Sequence, residues 1–283
     1  MQNIVITGAS GFVGTNLTKM FIDEGCNVIA VNRKDLQNIE KLTSLLNNAK
    51  AIINLAGANI IGRWSDEYKK LLYSSRLDTT TALIKAIEKC EIKPEILIST
   101  SAVGIYSNKK TYNEENGEYA DDFLGNLCKE WENKALEAKQ FGVRTAIFRF
   151  GIVMGDGGAL AKMLLPFKLG VGGTIGNGSQ AFSFIHIKDL VNAYKFALNN
   201  PLEDIYNLTA PVPTTNKGLT TALGKTLHRP TIFPVPEFVL KLIFGEGAKV
   251  LTDGQSVEPK RLQESGFEFE FKTIDETIKN LVG

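Results

Sequence analysis

An α/β fold with a doubly wound, mostly parallel sheet and a smaller C-terminal domain is what this sequence predicts, on three observations. A short apolar run, Asn3–Thr7 (N-I-V-I-T), passes through a glycine-rich turn straight into a stretch of helical apolar spacing. Short strand-like runs then alternate with amphipathic helical stretches, which implies right-handed crossovers and one parallel sheet. From Gly151 the character changes, first to a glycine-rich segment and later to proline-bounded helices.

The turn reads Gly8-Ala9-Ser10-Gly11-Phe12-Val13-Gly14, and Val13, Leu17, Met20 and Phe21 continue it at helical spacing. Gly8 permits a tight turn, because a Cβ would oppose positive φ. Gly11 allows close approach of a pyrophosphate, and Gly14 allows the helix to pack on the strand it leaves. The helix N-terminus offers free N–H groups to phosphates. A glycine-rich turn alone can be plain architecture, but strand before and helix after make it a Rossmann-like dinucleotide site. Thr7, Gly8, Ser10, Gly11, Phe12, Val13 and Gly14 are therefore cofactor-binding candidates.

Asn27–Val31 is a second strand, ending at Asn32 and Arg33. An acid there would take the ribose of NAD, whereas an arginine accommodates the 2′-phosphate of NADP. Asn32 and Arg33 thus point to NADP(H). A third strand over residues 51–55 runs into Ala56 and Gly57, small residues that allow close passage of the cofactor. Residues 58–65 form a loop and 67–89 a long helix, with Pro94 as a stop. The strand over 95–101 gathers hydroxyls at its C-terminal end, where parallel sheets bind ligands, which places Ser99, Thr100 and Ser101 well for a ligand, Thr100 as a cofactor contact, although serine is also a normal strand-end and cap residue. Residues 107–119 read as a surface loop, 123–140 as a helix and Arg144–Phe150 as a strand.

The segment from Gly151 to Gln180 is glycine-rich around one apolar helix and suits a mobile pocket lining. A strand over 182–187, a helix over 189–199 and a strand over 205–208 resume the sheet, and His186 reads as structural. After Pro211 and Pro213 come helices Asn216–Leu227 and Glu237–Phe244. The expected division is a nucleotide-binding domain over 1–150, continued by about 182–209, and a small substrate-side domain from 151–181 and 210–283.

In its 283 residues, 43% are hydrophobic, 22% are charged and the net charge is +1, which argues against nucleic acid or an anionic membrane as partner. Cys26, Cys90 and Cys128 match no metal spacing, so no metal is expected. The first residues already read as strand, leaving no room for a leader, and no apolar run nears the roughly 20 residues that span a bilayer. A cytoplasmic protein with a small-molecule substrate is expected, with a homodimer among the assemblies open to it.

Several stretches occur in order: T-G-A-S-G-F-V-G, N-L-A-G-A-N-I, R-W-S-D-E-Y, S-R-L-D-T-T, S-A-V-G-I-Y, L-L-P-F-K-L-G-V-G-G, F-I-H-I-K-D-L and P-K-R-L-Q-E-S-G-F. Together they resemble the atypical extended short-chain dehydrogenase/reductases of the epimerase family, 39U subfamily, which have their own C-terminal domain. The resemblance covers nearly the whole chain. It implies NADP contacts at the glycine turn, Asn32, Arg33, Leu55 and Ala56, and no particular substrate. In the wider superfamily a helical Tyr acts as acid/base and a Lys four residues later lowers its pKa. Counting back from Glu132, those positions hold Leu124 and Cys128, and Lys129 is one residue off, about 100° around the helix. Tyr106…Lys110 has the spacing but sits in a run of turn formers. Ser101 fits the role of polarising a substrate oxygen, and Tyr106 is placed to reach the pocket from the sheet edge. Two readings stand: an NADP-dependent oxidoreductase or epimerase-like enzyme with altered acid/base groups, or a non-catalytic NADP-binding sensor or scaffold.

Overall fold

The computed structural model describes residues 1–283. Its first strand, β1 (Asn3–Thr7), buries Ile4 to Thr7 completely, since both faces of the sheet are covered. There follow α1 (Phe12–Asp23), β2 (Asn27–Val31), α2 (Arg33–Leu36), α3 (Ile39–Leu46), β3 (Ala51–Asn54), α4 (Asp66–Lys89) and β4 (Ile96–Ala102). Next come β5 (Thr111–Tyr112), α5 (Phe123–Leu136), β6 (Arg144–Phe150), β7 (Ile152–Gly155), α6 (Gly158–Lys168), β8 (Phe184–His186), α7 (Ile187–Asn199) and β9 (Asp204–Leu208). The remainder holds α8 (Asn216–Leu227), α9 (Glu237–Phe244), α10 (Lys249–Thr252), β10 (Ser256–Val257), α11 (Lys260–Glu264) and α12 (Ile274–Val282).

Six strands form one parallel sheet in the order β2-β1-β3-β4-β6-β9. The order reverses between β1 and β3, the switch point at which such sheets bind ligands. Alternate strand residues feed two cores. Ile4, Ile6, Ile53, Ile98 and Phe148 pack with α1 and α7, whereas Val5, Ile52, Leu97 and Ile147 pack with α3 and α4. A third core joins Met154, Leu160, Phe182 and Phe184 to Leu219 and Leu223 of α8 and Ile274 and Ile278 of α12. Not all of the C-terminal stretch belongs with that core: Leu262, Phe267 and Phe269 pack into the core beneath the main sheet.

Some elements differ from the sequence reading. Residues 107–119 are pinned rather than loose, because β5 pairs with β10 and buries Tyr112. The segment after Gly151 begins as β7, paired in parallel with β8. The helix expected to reach residue 140 is α-helical only to Leu136. It tightens into a 3-10 turn, Glu137–Phe141, and stops at Gly142 with φ +74°. No helix is long and apolar enough to cross a membrane.

Candidate functional site

The glycine turn closes by a bond from the Gly11 N–H to the Gly8 carbonyl at 3.0 Å. Gly8 has φ +71°, and a Cβ there would meet the Leu55 carbonyl at 3.0 Å, so β1 and β3 part at a point only glycine fits. Gly14 is equally constrained, since its Cβ would lie 2.3 Å from the Gly8 oxygen. Gly11 differs: φ is −75°, and its Cβ would touch only that same oxygen, at 3.3 Å. The backbone there faces open space. Gly11 caps α1 without any side-chain acceptor, the first turn holds no acid, and the N–H groups of Phe12, Val13 and Gly14 bond to no protein acceptor. This cradle fits a pyrophosphate.

The other candidates at the turn divide. Ser10 is exposed beside it. Thr7 is buried, its hydroxyl donating to Asn54 Oδ1 at 2.8 Å and accepting from the Ala56 N–H at 3.3 Å, so it braces β1 against β3. The Phe12 ring lies beneath the β7–α6 turn, where added Cβ atoms at Gly155, Gly157 and Gly158 would strike it at 2.6 to 3.0 Å.

At the end of β2, the Asn32 side-chain oxygen caps the short α2 by accepting from the Lys34 and Asp35 N–H groups. The acid of this turn, Asp35, is buried and paired with Lys41 at 2.6 Å. Arg33 is exposed and forms no ion pair. A free cation and a retired acid suit a 2′-phosphate.

Beyond β3, Gly57 leaves room for a protein side chain. A Cβ there would lie 3.0 Å from Cζ of Arg76, an α4 residue not singled out as functional by sequence, although S-R-L-D-T-T carried it. Arg76 donates to the carbonyls of Leu72 and Ala58 at 3.0 and 3.1 Å and lies 5.3 Å from the Trp131 ring centroid.

Ser101 and Tyr106 are placed otherwise than expected. Ser101 is 1% exposed and donates to Glu132 Oε1 at 2.6 Å. Tyr106 is fully buried, donating to Asn207 Oδ1 at 3.0 Å and accepting from Arg149 Nη1 at 2.6 Å. Arg149 closes the network with a fork onto Glu132, Nε to Oε1 at 2.8 Å and Nη2 to Oε2 at 2.7 Å. Burial alone would favour a neutral guanidinium, but the Glu132 bonds outweigh it and raise the Arg149 pKa. Tyr106 therefore does not reach an open pocket, and the Ser101 hydroxyl is engaged as a donor to the buried Glu132. Burial also pushes the Tyr106 phenol up, so it stays neutral. The acid at Glu132 was noticed in sequence, but its partner Arg149 lies on the next strand, β6, and gave no signal. Thr100, on the opposite strand face from Ser101, lies 3.4 Å from the Tyr194 hydroxyl.

A model of the NAD-dependent epimerase/dehydratase family matches residues 4–209, and one for a domain of unknown function (DUF1731) matches residues 235–281. The chain belongs to the NAD-dependent epimerase/dehydratase family. It is 37% identical to the chloroplastic SDR39U1 homologue of Arabidopsis thaliana, an epimerase family protein, over 99% of this chain and 87% of that one. It also resembles the crystal structure of human epimerase family protein SDR39U1 (isoform 2) with NADPH. There the TM-score is 0.91 and the identity 33%, with 99% of each chain covered. A nucleoside-diphosphate sugar epimerase from Corynebacterium glutamicum matches at TM-score 0.81 and 28% identity, over all of this chain and 58% of that one. The fold is thus an NAD(P)-binding Rossmann fold of the epimerase family.

Within this family member, α5 carries no acid/base pair at the resembled positions. Leu124 packs near Gly104, and Cys128 is buried among Val103, Ile105 and Tyr106. Burial pushes the Cys128 thiol up to about 11, so it is neutral and cannot stand in for a lysine. Lys129 points elsewhere, its ammonium on the Ala120 carbonyl at 3.2 Å and 5.8 Å from the Tyr119 ring centroid. Lys110 is exposed while Tyr106 is buried at the end of a 3-10 turn, so their spacing has no helical meaning.

Proposed function

We propose that this chain is an NADP(H)-dependent oxidoreductase or epimerase-like enzyme for a small hydroxyl or carbonyl compound, working without a Tyr–Lys pair. The observation that carries it is the open, uncapped turn from Gly8 to Gly14 with the unpaired Arg33 at the next strand end. The resemblance to a protein solved with NADPH supports the choice of cofactor. When bound, the nicotinamide supplies or takes a hydride. The N–H groups of Phe12, Val13 and Gly14 would hold its phosphates and Arg33 its 2′-phosphate. The β7–α6 turn packs on the Phe12 ring of the glycine turn, which ties the segment after β6 to the cofactor turn and supports this reading. That segment and the third core are more than cofactor binding alone requires, which favours an enzyme.

One observation favours a non-catalytic NADP binder instead: the Tyr and Lys positions hold Leu124 and a neutral Cys128, and Ser101 and Tyr106 are tied into the Arg149 network. Two measurements separate the readings. NADPH and NADH titrations against wild type and Arg33→Ala should show a preference for NADPH of about tenfold or more that the substitution removes, since a charge-assisted contact contributes roughly 1.5–3 kcal/mol. Equal wild-type affinities would sink the NADP assignment. A screen of small aldehydes, ketones and nucleotide sugars, followed by NADPH oxidation, tests the enzyme. No turnover from any of them, with tight NADPH binding, supports the sensor or scaffold.

A further inference from the structure

We propose that Arg76 is a substrate-binding residue that takes a carboxylate beside the reacting carbonyl or hydroxyl carbon, so that the substrate class is a small 2-oxo or 2-hydroxy acid. This rests on the crevice being an NADP(H)-dependent site and deepens that reading.

The place of Arg76 comes first. It reaches from α4 to the backbone just past β3, beside the strand switch point, and its guanidinium lies over the ring of Trp131 on α5, three residues and so about one helical turn from Cys128. Cys128 is the position at which the resembled superfamily has its lysine. A positive charge is therefore present near that position, delivered by a different helix.

The state of its charge comes second. Two other arginines have more protein partners: the buried Arg149 and the partly exposed Arg144. Arg149 is paired with Glu132 and also bonds two tyrosines, and Arg144 donates to three carbonyls, those of Ala197, Asn200 and Leu202. Arg76 has two carbonyls and no carboxylate. Of the five N–H donors on a guanidinium, the rest have no protein acceptor. Burial pulls its pKa below the usual arginine range, and the groups acting on it are Cys128 and Tyr68, neither of them an acid of neutral pH. A half-buried cation without a counter-ion is costly to keep, and an anion offsets that cost.

Geometry selects the anion. A Cβ at Gly57 would be nearly equidistant from three atoms of the group, 3.0 Å from Cζ, 3.1 Å from Nη2 and 3.3 Å from Nε, so the Gly57 backbone covers one face of the guanidinium plane. The Trp131 ring centroid is 5.3 Å from Cζ. Nη1 and Nη2 each donate once, to Leu72 and Ala58, and Nε donates to no protein group, so the donors left over lie in the guanidinium plane, where a planar carboxylate binds. No second cation acts on Arg76, as a doubly charged phosphate would favour. The side chain is partly exposed, so a ligand can reach it.

The test is calorimetric titration of oxamate, a non-reducible carboxylate beside a carbonyl, into NADPH-loaded full-length protein, with acetate and inorganic phosphate alongside. Wild type should bind oxamate, and Arg76→Gln should weaken it by about tenfold or more. Arg76→Lys, which keeps charge without the planar fork, should fall between and serves if the glutamine variant does not fold. NADPH affinity, read separately by its fluorescence, should change less than about threefold in either variant. Three results would overturn the proposal: NADPH binding lost as severely as oxamate binding, which assigns the anion to the cofactor; phosphate bound in preference to oxamate; or no carboxylate bound by a wild type that binds NADPH. A wild type that binds no NADPH at all is a different result, and it removes the cofactor reading beneath the proposal.

Discussion

Cys128 is a buried thiol at a position where chemistry was sought, and its surroundings define what it does. Burial among apolar neighbours such as Val103 and Ile105 raises its pKa from 9.0 to about 11. The sign of the resulting pH dependence follows from linkage. Between about pH 9 and 11 the unfolded thiol has ionised and the folded one has not, so the unfolded state binds fewer protons and stability falls as pH rises. Two pKa units correspond to about 2–3 kcal/mol. Urea unfolding of wild type and Cys128→Ala at pH 8 and pH 11 should therefore show wild type losing about that much more than the variant. Parallel losses would mean that the thiol ionises freely in the fold. Ser101 and Tyr106 teach the same lesson from the polar side. Their residue types at a strand end invited a catalytic reading, but Glu132 and Arg149, distant in sequence, bond both hydroxyls inside the protein.

At the scale of elements, the β1–turn–α1 unit was legible because local sterics fix it. Gly8 needs positive φ and Gly14 needs contact with the turn, and both needs are met within a few residues of chain. The three glycines nonetheless differ in what they tolerate. Gly14→Ala places a Cβ 2.3 Å from a backbone oxygen that cannot swing away, so it should lower the melting temperature clearly and disturb the turn. Gly11→Val meets little protein and keeps φ negative, so it should melt close to wild type while losing NADPH binding, because the side chain fills the phosphate cradle. Thermal melts paired with NADPH titration check both, and a Gly11→Val protein that binds NADPH normally would show that this backbone does not face the phosphates. Gly57 has a further role that was not legible, for an equally physical reason. Its open side is filled by a side chain from α4, and no local pattern announces that.

On the scale of the whole molecule, the segment after β7 and the stretch before α9 form one body. Val235 donates to the Thr174 carbonyl at 2.7 Å, Gly176 donates to the Val235 carbonyl at 2.9 Å, and Gly173 lies so close beneath Phe233 that a Cβ would meet its oxygen at 2.0 Å. A cover over the nicotinamide end would therefore move as a unit rather than as a loose loop. Hydrogen exchange at Thr174, Ile175, Gly176 and Val235 should slow together when NADPH and oxamate are both bound. Protection of residues 174–176 alone, or none, would count against a joint cover.

By itself the sequence determined the parallel α/β architecture, the dinucleotide turn and the boundaries of most strands and helices. Period, turn sterics and strand ends are short-range properties, written within ten or so residues. It also determined that α5 lacks a Tyr–Lys pair, since helical spacing is arithmetic. Only the tertiary structure decided that Ser101, Tyr106, Glu132, Arg149 and Asn207 form one buried network, that β5 pairs with β10 across 145 residues, and that Leu262 and Phe267 complete the core beneath the main sheet. Only it set Arg76 against Gly57 without a counter-ion. Hydrogen bonds and charge compensation depend on distance in space, and at these positions the chain brings together groups that no local pattern links.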